Sequence, residues 1–135
     1  MRQPPGQERR KRDSNERRSA KPGATLVGEV WADTATIARY YGSTAALPGG
    51  DVLPLLFDFP LADAIVQGVK AGNTAAVAAK LGDIALTYPR GAADAPFLTN
   101  HDQIRVATQF GGDPAGLRSA AAILLTLPGS PCLYY

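Results

Sequence analysis

The chain lacks several features that would assign it at once to a common class of protein. Its single cysteine, Cys132, excludes an internal disulfide and lies in an apolar run, which is typical of a buried structural thiol. His101 is the only histidine with which Cys132 could form a catalytic pair. No run approaches the roughly 18 to 20 apolar residues of a membrane span. No glycine-rich phosphate loop follows a predicted strand, which argues against a dinucleotide-binding fold.

The first 23 residues contain no Val, Ile, Leu, Phe, Tyr or Trp. They hold eight of the 14 Lys+Arg and three of the 12 Asp+Glu, so this segment carries +5 and the remainder −3. Such a segment cannot offset its ordering entropy by burying apolar surface, and we predict a disordered basic tail over residues 1–23. Without aromatic interleaving or an amphipathic pattern, it favours a solvated tail over binding to nucleic acid or a membrane. No apolar segment like that of a secretory signal follows the arginines, so the compartment is unknown, with the cytoplasm as the default.

From residue 24 onward, apolar strand-like and helix-like segments alternate. This alternation predicts βα units with a parallel sheet over residues 24–135, and both doubly wound folds and TIM barrels fit it. The caps are local signals: Asp33 precedes one helix, and Asp113 with Pro114 precedes another. We predict strands at 24–31, 52–59, 95–100 and 130–135, and helices at 33–42, 61–72, 73–86 and 113–127.

Two acidic residues follow predicted strands. Glu29 ends "ATLVGEV" and Asp102 follows "PFLTNH", 73 positions later. A (β/α)₈ barrel spends about 31 residues per repeat and carries its catalytic groups at the carboxyl ends of strands, so this spacing predicts one rim, two strands apart. Two carboxyl groups in one cleft suit glycoside hydrolysis, in which one acts as an acid and the other stays an anion. The alternative is an ion-paired Glu29 and an Asp102 that caps a turn.

Four motifs in register resemble a known family. "GEVW" (28–31), "FDFPL" (57–61), "FLTNHDQ" (97–103) and "LLTLPGSPCLYY" (124–135) are similar to the α-amylase superfamily, glycoside hydrolase family 13. Their order resembles the fifth to eighth strands of that family's barrel. The resemblance therefore implies a partial (β/α)₈ TIM barrel of approximately strands 5 to 8. Its first and last strands, the fifth and the eighth, would each leave one edge unpaired.

The resemblance also implies roles for individual residues. Glu29 matches the general acid/base, Asp102 the stabiliser of the transition state, and His101 a ligand of the sugar hydroxyls. Arg105 and Trp31 are expected to line the pocket. The implied function is a retaining O-glycosyl hydrolase that acts on α-glucans or α-glucosides. No cofactor or specific protein partner is expected. No metal is expected either, because the residues that usually bind calcium in this family come from parts not matched here.

One catalytic group of the family has no match. Its nucleophile is an Asp in a motif like G-F-R-x-D-x-x-x-H, and the segment before Glu29 reads "ERRKRDSNERRSAKPG" instead. Asp13 lies there in a charge run and is not assigned as a nucleophile. We therefore expect a fragment of a barrel that is inactive alone. The alternatives are a transglycosidase or isomerase of the same superfamily, a non-catalytic sugar-binding remnant, and a nucleic-acid binder acting through the tail.

Overall fold

A parallel sheet organises the chain. The computed structural model describes residue 21 and residues 25–42 and 52–134. In these ranges three strands pair in the order β1-β2-β3: β1 (Val27–Gly28), β2 (Leu55–Phe57) and β3 (Ala93–Ala95). The helices there are α1 (Thr34–Tyr41), α2 (Phe59–Lys70), α3 (Ala75–Thr87), α4 (Val106–Gln109) and α5 (Pro114–Thr126). The predicted α/β class with a parallel sheet is confirmed. Apart from Lys21, the predicted tail at 1–23 lies outside the described residues.

The strands are short and closely spaced. Val27 pairs with Leu55 and Gly28 with Leu56, and β2 continues the register onto β3. A β-carbon at Gly28 would overlap the side chains of Leu53 and Leu56, so the glycine leaves room for these leucines to pack on β1. Glu29 follows immediately and therefore stands at the carboxyl end of β1.

The four predicted helices are present, although α2 begins at Phe59, two positions before its predicted start, and local caps set the starts of α1 and α5. The Asp33 carboxylate accepts a hydrogen bond from the Thr36 amide at 2.7 Å, which satisfies a free donor of the first turn of α1. Asp113 does the same for α5, accepting from the amides of Ala115 and Gly116, both at 2.9 Å. The short helix α4 was not predicted, since four residues carry no helical periodicity.

Replacing Asp113 by alanine should lower the midpoint of thermal unfolding by a few degrees. Two amides of the first turn of α5 would lose their acceptor. Asp113→Asn, whose amide oxygen still accepts, is the matched control and should keep most of the stability. The midpoint is measured by circular dichroism. An alanine variant as stable as the parent would show that this cap contributes nothing in solution.

The apolar faces predicted for two helices meet in one core. Leu61 and Ile65 of α2 pack with Val77 of α3. Leu124 of α5 and Leu98 belong to the same cluster. A second cluster holds Ile37, Tyr41 and Leu56, between α1 and the sheet. The second cluster packs α1 against β2, the central strand of the sheet.

The strand predictions were too long, and the third was wrong in position. Residues 95–100 were expected as a strand, whereas β3 covers Ala93–Ala95 and the following residues run buried toward a loop. Pro96 explains this difference, because a proline has no N–H for a sheet ladder. Likewise only Val27–Gly28 of residues 24–31 and Leu55–Phe57 of residues 52–59 are strand.

The predicted strand at 130–135 is not a regular strand in residues 130–134, and Tyr135 lies outside the described residues. The segment nevertheless runs beside β3. The Ser130 amide donates to the Asp94 carbonyl at 2.7 Å, and the Cys132 amide donates to the Pro96 carbonyl at 2.8 Å. The Ala95 carbonyl, in contrast, accepts from β2's neighbour Asp58, so the segment lies on the other edge of β3.

Candidate active site

A side-chain hydrogen bond joins the segments that follow the carboxyl ends of β1 and β3. Asn100 Nδ2 donates to Glu29 Oε1 at 2.9 Å, across 71 positions of sequence. Glu29 is exposed and Asn100 half-buried. The order β1-β2-β3 puts one strand between their parent strands, so both groups lie at the same edge of the sheet. The structure thus brings Glu29 and the Asn100–Asp102 loop together, as the spacing predicted.

The Asn-His-Asp loop is held by its own hydrogen bonds. Asn100 Oδ1 accepts from the Asp102 amide at 3.1 Å, and the Thr99 hydroxyl donates to the Ile104 carbonyl at 2.9 Å. His101 Nε2 lies 3.5 Å from Asp102 Oδ1, and both side chains are more than half exposed. These hydrogen bonds hold the loop in place. The side chains of His101 and Asp102, the two predicted site residues of the loop, face solvent.

Trp31 lies on an aromatic stack at the same edge. Its ring stacks on that of Phe59, with 4.8 Å between centroids and 16° between planes. Phe59 in turn meets Phe97 edge to face at 5.0 Å. Phe59 and Phe97 are buried, whereas Trp31 keeps 65% of its surface exposed. The buried rings fix the indole and leave its outer face open to a ligand. Phe59, the first residue of α2, was not predicted as part of the site.

Arg105 contacts the chain's last described residue rather than Glu29. Its guanidinium carbon lies 4.4 Å from the centroid of the Tyr134 ring. This places a cation–π contact between the start of α4 and the segment beside β3. An open, apolar groove of about 410 Å³ adjoins this contact, and Leu98, Leu117 and Leu133 contribute to its walls. None of Glu29, Asn100 and Asp102 lines the groove, so it is separate from the polar edge.

A partly buried polar cluster lies between the sheet and the helices. Tyr88 donates its hydroxyl to Asp58 Oδ2 at 2.7 Å, and the other oxygen of Asp58 caps α2 by accepting from the Leu61 amide. Tyr41 donates to the Ala93 carbonyl at 3.1 Å and lies 3.4 Å from Asp94 Oδ1. Asp58 follows β2 as Glu29 follows β1, but both its oxygens are occupied. It is therefore a structural group.

Burial sets the protonation of this cluster. Desolvation, with the nearby Asp58 carboxylate adding to it, raises the pKa of Asp94 to about 7. Desolvation also raises the pKa of Asp58, although the hydrogen bonds from Tyr88 and Leu61 oppose the shift. Burial raises the pKa of both tyrosines, so they remain donors. No sequence signal pointed to this cluster, because Asp94 stands between alanines.

Neither a metal site nor a membrane span is found in the described part of the chain. Residues 25–42 and 52–134 contain no group of three or more His, Cys, Asp or Glu side chains placed to hold a metal ion. Among the helices of these ranges, none is long and apolar enough to cross a bilayer.

Comparison with known proteins gives the family. The sequence matches the family model "Alpha amylase, catalytic domain" over residues 3–135, a range that includes most of the basic segment. Alpha-amylase 3 of Dictyoglomus thermophilum is 42% identical over 127 residues, which cover 87% of this chain and 22% of the relative. A cyclomaltodextrinase of Geobacillus thermopakistaniensis is 30% identical over 122 residues, covering 87% of this chain and 19% of that protein.

Solved structures agree with this assignment. The alpha-amylase of H. orenii superposes with a TM-score of 0.82 at 37% identity, covering 98% of this chain and 27% of that one. The alpha-amylase of Geobacillus thermoleovorans, solved with acarbose, gives 0.80 at 26% identity, with 96% and 29% covered. The chain thus spans about a fifth to three tenths of the relatives' length, and its parallel sheet is a partial barrel. The chain belongs to the alpha-amylase family.

Proposed function

We propose that this chain supplies one side of the active site of a retaining glycoside hydrolase that acts on α-glucans. In this proposal β1, β2, β3 and the segment at 130–134 correspond to the fifth to eighth strands of the family's barrel. The observation that carries it is the convergence of Glu29 with the Asn100–Asp102 loop, joined at 2.9 Å. This convergence puts the carboxyl group proposed as the acid/base and the segment of the proposed stabiliser, Asp102, at the same end of the sheet.

Glu29 is suited to the role of general acid/base. It is exposed at the strand end, where a glycosidic oxygen can reach it. In its protonated form it would donate to the leaving oxygen, and as a carboxylate it would then take a proton from the attacking water. Asp102 would stay ionised, bind sugar hydroxyls and favour the oxocarbenium-like transition state.

His101 and Trp31 are suited to hold the sugar rather than to react. The His101 side chain is 65% exposed and has Nε2 3.5 Å from Asp102 Oδ1, so it presents a polar group beside that carboxylate. Trp31 offers a flat apolar face to the C–H face of a pyranose ring. Arg105 would contribute at the periphery, because its guanidinium lies on Tyr134.

The proposed active site lacks one catalytic group, the nucleophile. A retaining enzyme also needs a carboxylate nucleophile, and no residue of this sequence matches the family's motif for it. We expect the purified chain to show no hydrolysis of a nitrophenyl α-glucoside or of starch. Hydrolysis that persists after Glu29→Gln would come from a contaminant, and hydrolysis that is lost in that variant would contradict the missing nucleophile.

Weak and saturable binding of a linear α-1,4-glucan is the expected property of the chain itself. Titration with maltoheptaose, followed by calorimetry or by Trp31 fluorescence, should give millimolar affinity, about −4 kcal/mol. His101→Ala and Trp31→Ala should each weaken binding about three- to tenfold, which corresponds to about 0.7 to 1.4 kcal/mol. Cellohexaose, whose linkages are β, is the matched ligand control, and Lys70→Ala at the end of α2 is the matched variant. Equal binding of both glucans would contradict the assigned substrate class.

The relatives widen the range of α-glucans to consider. A cyclomaltodextrinase is among them at 30% identity. A transglycosidase or isomerase would share the same acid/base and stabiliser, so the proposal separates these activities by products. A hydrolase releases reducing ends in water, whereas a transferase yields longer glucans when a sugar acceptor is added.

A further inference from the structure

We propose that Asn100 is a positioning residue that holds Glu29 and Asp102 in one fixed arrangement and assigns the proton of Glu29 to Oε2. The inference rests on the proposed function, since it concerns how the acid/base is presented. Asn100 belongs to none of the residues assigned above to contact sugar. Its side chain instead joins the two carboxylate-bearing segments to each other.

One amide group makes both connections. Asn100 Nδ2 donates to Glu29 Oε1 at 2.9 Å, and Asn100 Oδ1 accepts from the Asp102 amide at 3.1 Å. A neutral amide carries both a donor and an acceptor, which neither a carboxylate nor an ammonium group offers. The amide orientation follows from these partners: rotated by half a turn, it would put oxygen against the Glu29 carboxyl oxygen and N–H against the Asp102 N–H.

These two hydrogen bonds of Asn100, which we call the clamp, determine which oxygen of Glu29 carries the proton. Oε1 of Glu29 is the oxygen that accepts the Asn100 N–H. A carboxylic acid that accepts an N–H at its carbonyl oxygen carries its proton on the other oxygen. Asn100 therefore leaves Oε2 as the atom that donates to the glycosidic oxygen and later takes a proton from water.

The surroundings show why such a clamp is needed. Glu29 and Asp102 are exposed, and the Asp102 side chain is 57% accessible. An exposed glutamate samples several rotamers, and a displacement of about 1 Å at a reacting group costs up to about 10²-fold in rate. Asn100 is itself half-buried and follows the buried residue Thr99, whose hydroxyl ties down the loop by donating to Ile104. The anchored loop that carries Asn100 thus fixes the exposed side chain of Glu29.

The full chain allows a direct spectroscopic test. In ¹⁵N-labelled protein, the Asn100 side-chain amide should give a resonance shifted from that of free asparagine. Glu29→Ala should return this resonance toward the free position, while the Asp102 backbone amide should change little. Asn100→Asp separates the two halves of the clamp: it keeps an acceptor for Asp102 and removes the donor to Glu29. Unchanged backbone resonances in α5 verify that the variants fold.

A kinetic arm connects this contact to catalysis. In a barrel completed by the H. orenii enzyme, in which residues 25–134 replace the matching segment, Asn100→Asp should lower kcat about 10- to 100-fold and leave KM unchanged. A turnover-competent barrel whose kcat ignores Asn100→Asp would overturn the inference, as would an Asn100 resonance that ignores Glu29→Ala. A barrel that shows no Glu29-dependent turnover would instead remove the proposed function, and the amide resonance would still report the clamp.

Discussion

Glu29→Gln in the completed barrel should reduce kcat on starch by about 10²–10⁴-fold, the contribution of a positioned general acid/base. The glutamine is nearly isosteric, and its amide oxygen can still accept the hydrogen bond that Asn100 donates to Glu29 at 2.9 Å. The geometry of the edge is therefore kept while the transferable proton is removed. KM should change little, because the interaction is made with the leaving oxygen in the transition state.

Two substrates separate the loss of the proton from a general loss of the site. Fluoride leaves α-maltosyl fluoride without protonation, and azide attacks the glycosyl-enzyme without needing a base. Azide should therefore restore turnover in Glu29→Gln, with fluoride and maltosyl azide as products. Asp33→Asn, an acid-to-amide change at the cap of α1, is the matched control and should keep full activity. A glutamine variant with parental kcat would contradict the assignment of Glu29.

Asp94→Asn should stabilise the chain at pH 8 by up to about 4 kcal/mol. Desolvation raises the pKa of Asp94 to about 7 from an ordinary value of 3.8, and each unit corresponds to about 1.4 kcal/mol. The folded state thus holds the proton more tightly than the unfolded chain does. The contribution of Asp94 to stability is fully present below pH 3.8 and is lost as the pH rises toward 7. Asparagine carries no charge at any of these pH values and keeps an acceptor for the Tyr41 hydroxyl.

The pH profile is the decisive measurement. Urea unfolding between pH 4 and 8 should show the parent losing stability as the pH rises, with a clearly shallower slope in Asp94→Asn. Asp58 contributes a decline of the same sign, since burial also raises its pKa. Asp113→Asn is the charge-matched control: hydrogen bonds from Ala115 and Gly116 lower the pKa of Asp113, so its effect lies below pH 3.8. A parent whose stability rises from pH 4 to 8 would contradict a buried Asp94.

The parts of the fold that the sequence predicted are those determined locally. Asp33 and Asp113 cap helices through residues two or three positions away, so both helix starts were predictable. The third strand was misplaced because the apolar run after Pro96 is buried without being paired. Its burial comes from the packing of Phe97 against Phe57 and Phe59, which no strand pattern encodes.

The site divides in the same way. Repeat spacing placed Glu29 and Asp102 at one edge because strand ends in a parallel sheet share a side. The Asn100–Glu29 contact depends on two rotamers across 71 positions, which periodicity cannot specify. The pairing of Tyr88 with Asp58, across 30 positions, depends on how α3 settles on the sheet. Sequence therefore predicted that Glu29 and Asp102 share one end of the sheet, and only the structure showed how the groups there are connected.

The proline at position 131 has a consequence for the backbone hydrogen bonds that a neighbouring strand can make. Ser130 and Cys132 turn their N–H groups inward to β3, so the position between them, residue 131, faces outward. That position is a proline and has no N–H to offer. On its outer side the segment therefore offers no backbone donor at residue 131, and a further strand can form no hydrogen bond to an N–H at that point. Any backbone pairing on this side must therefore come from the residues that flank the proline, beside Leu133, which is 69% exposed.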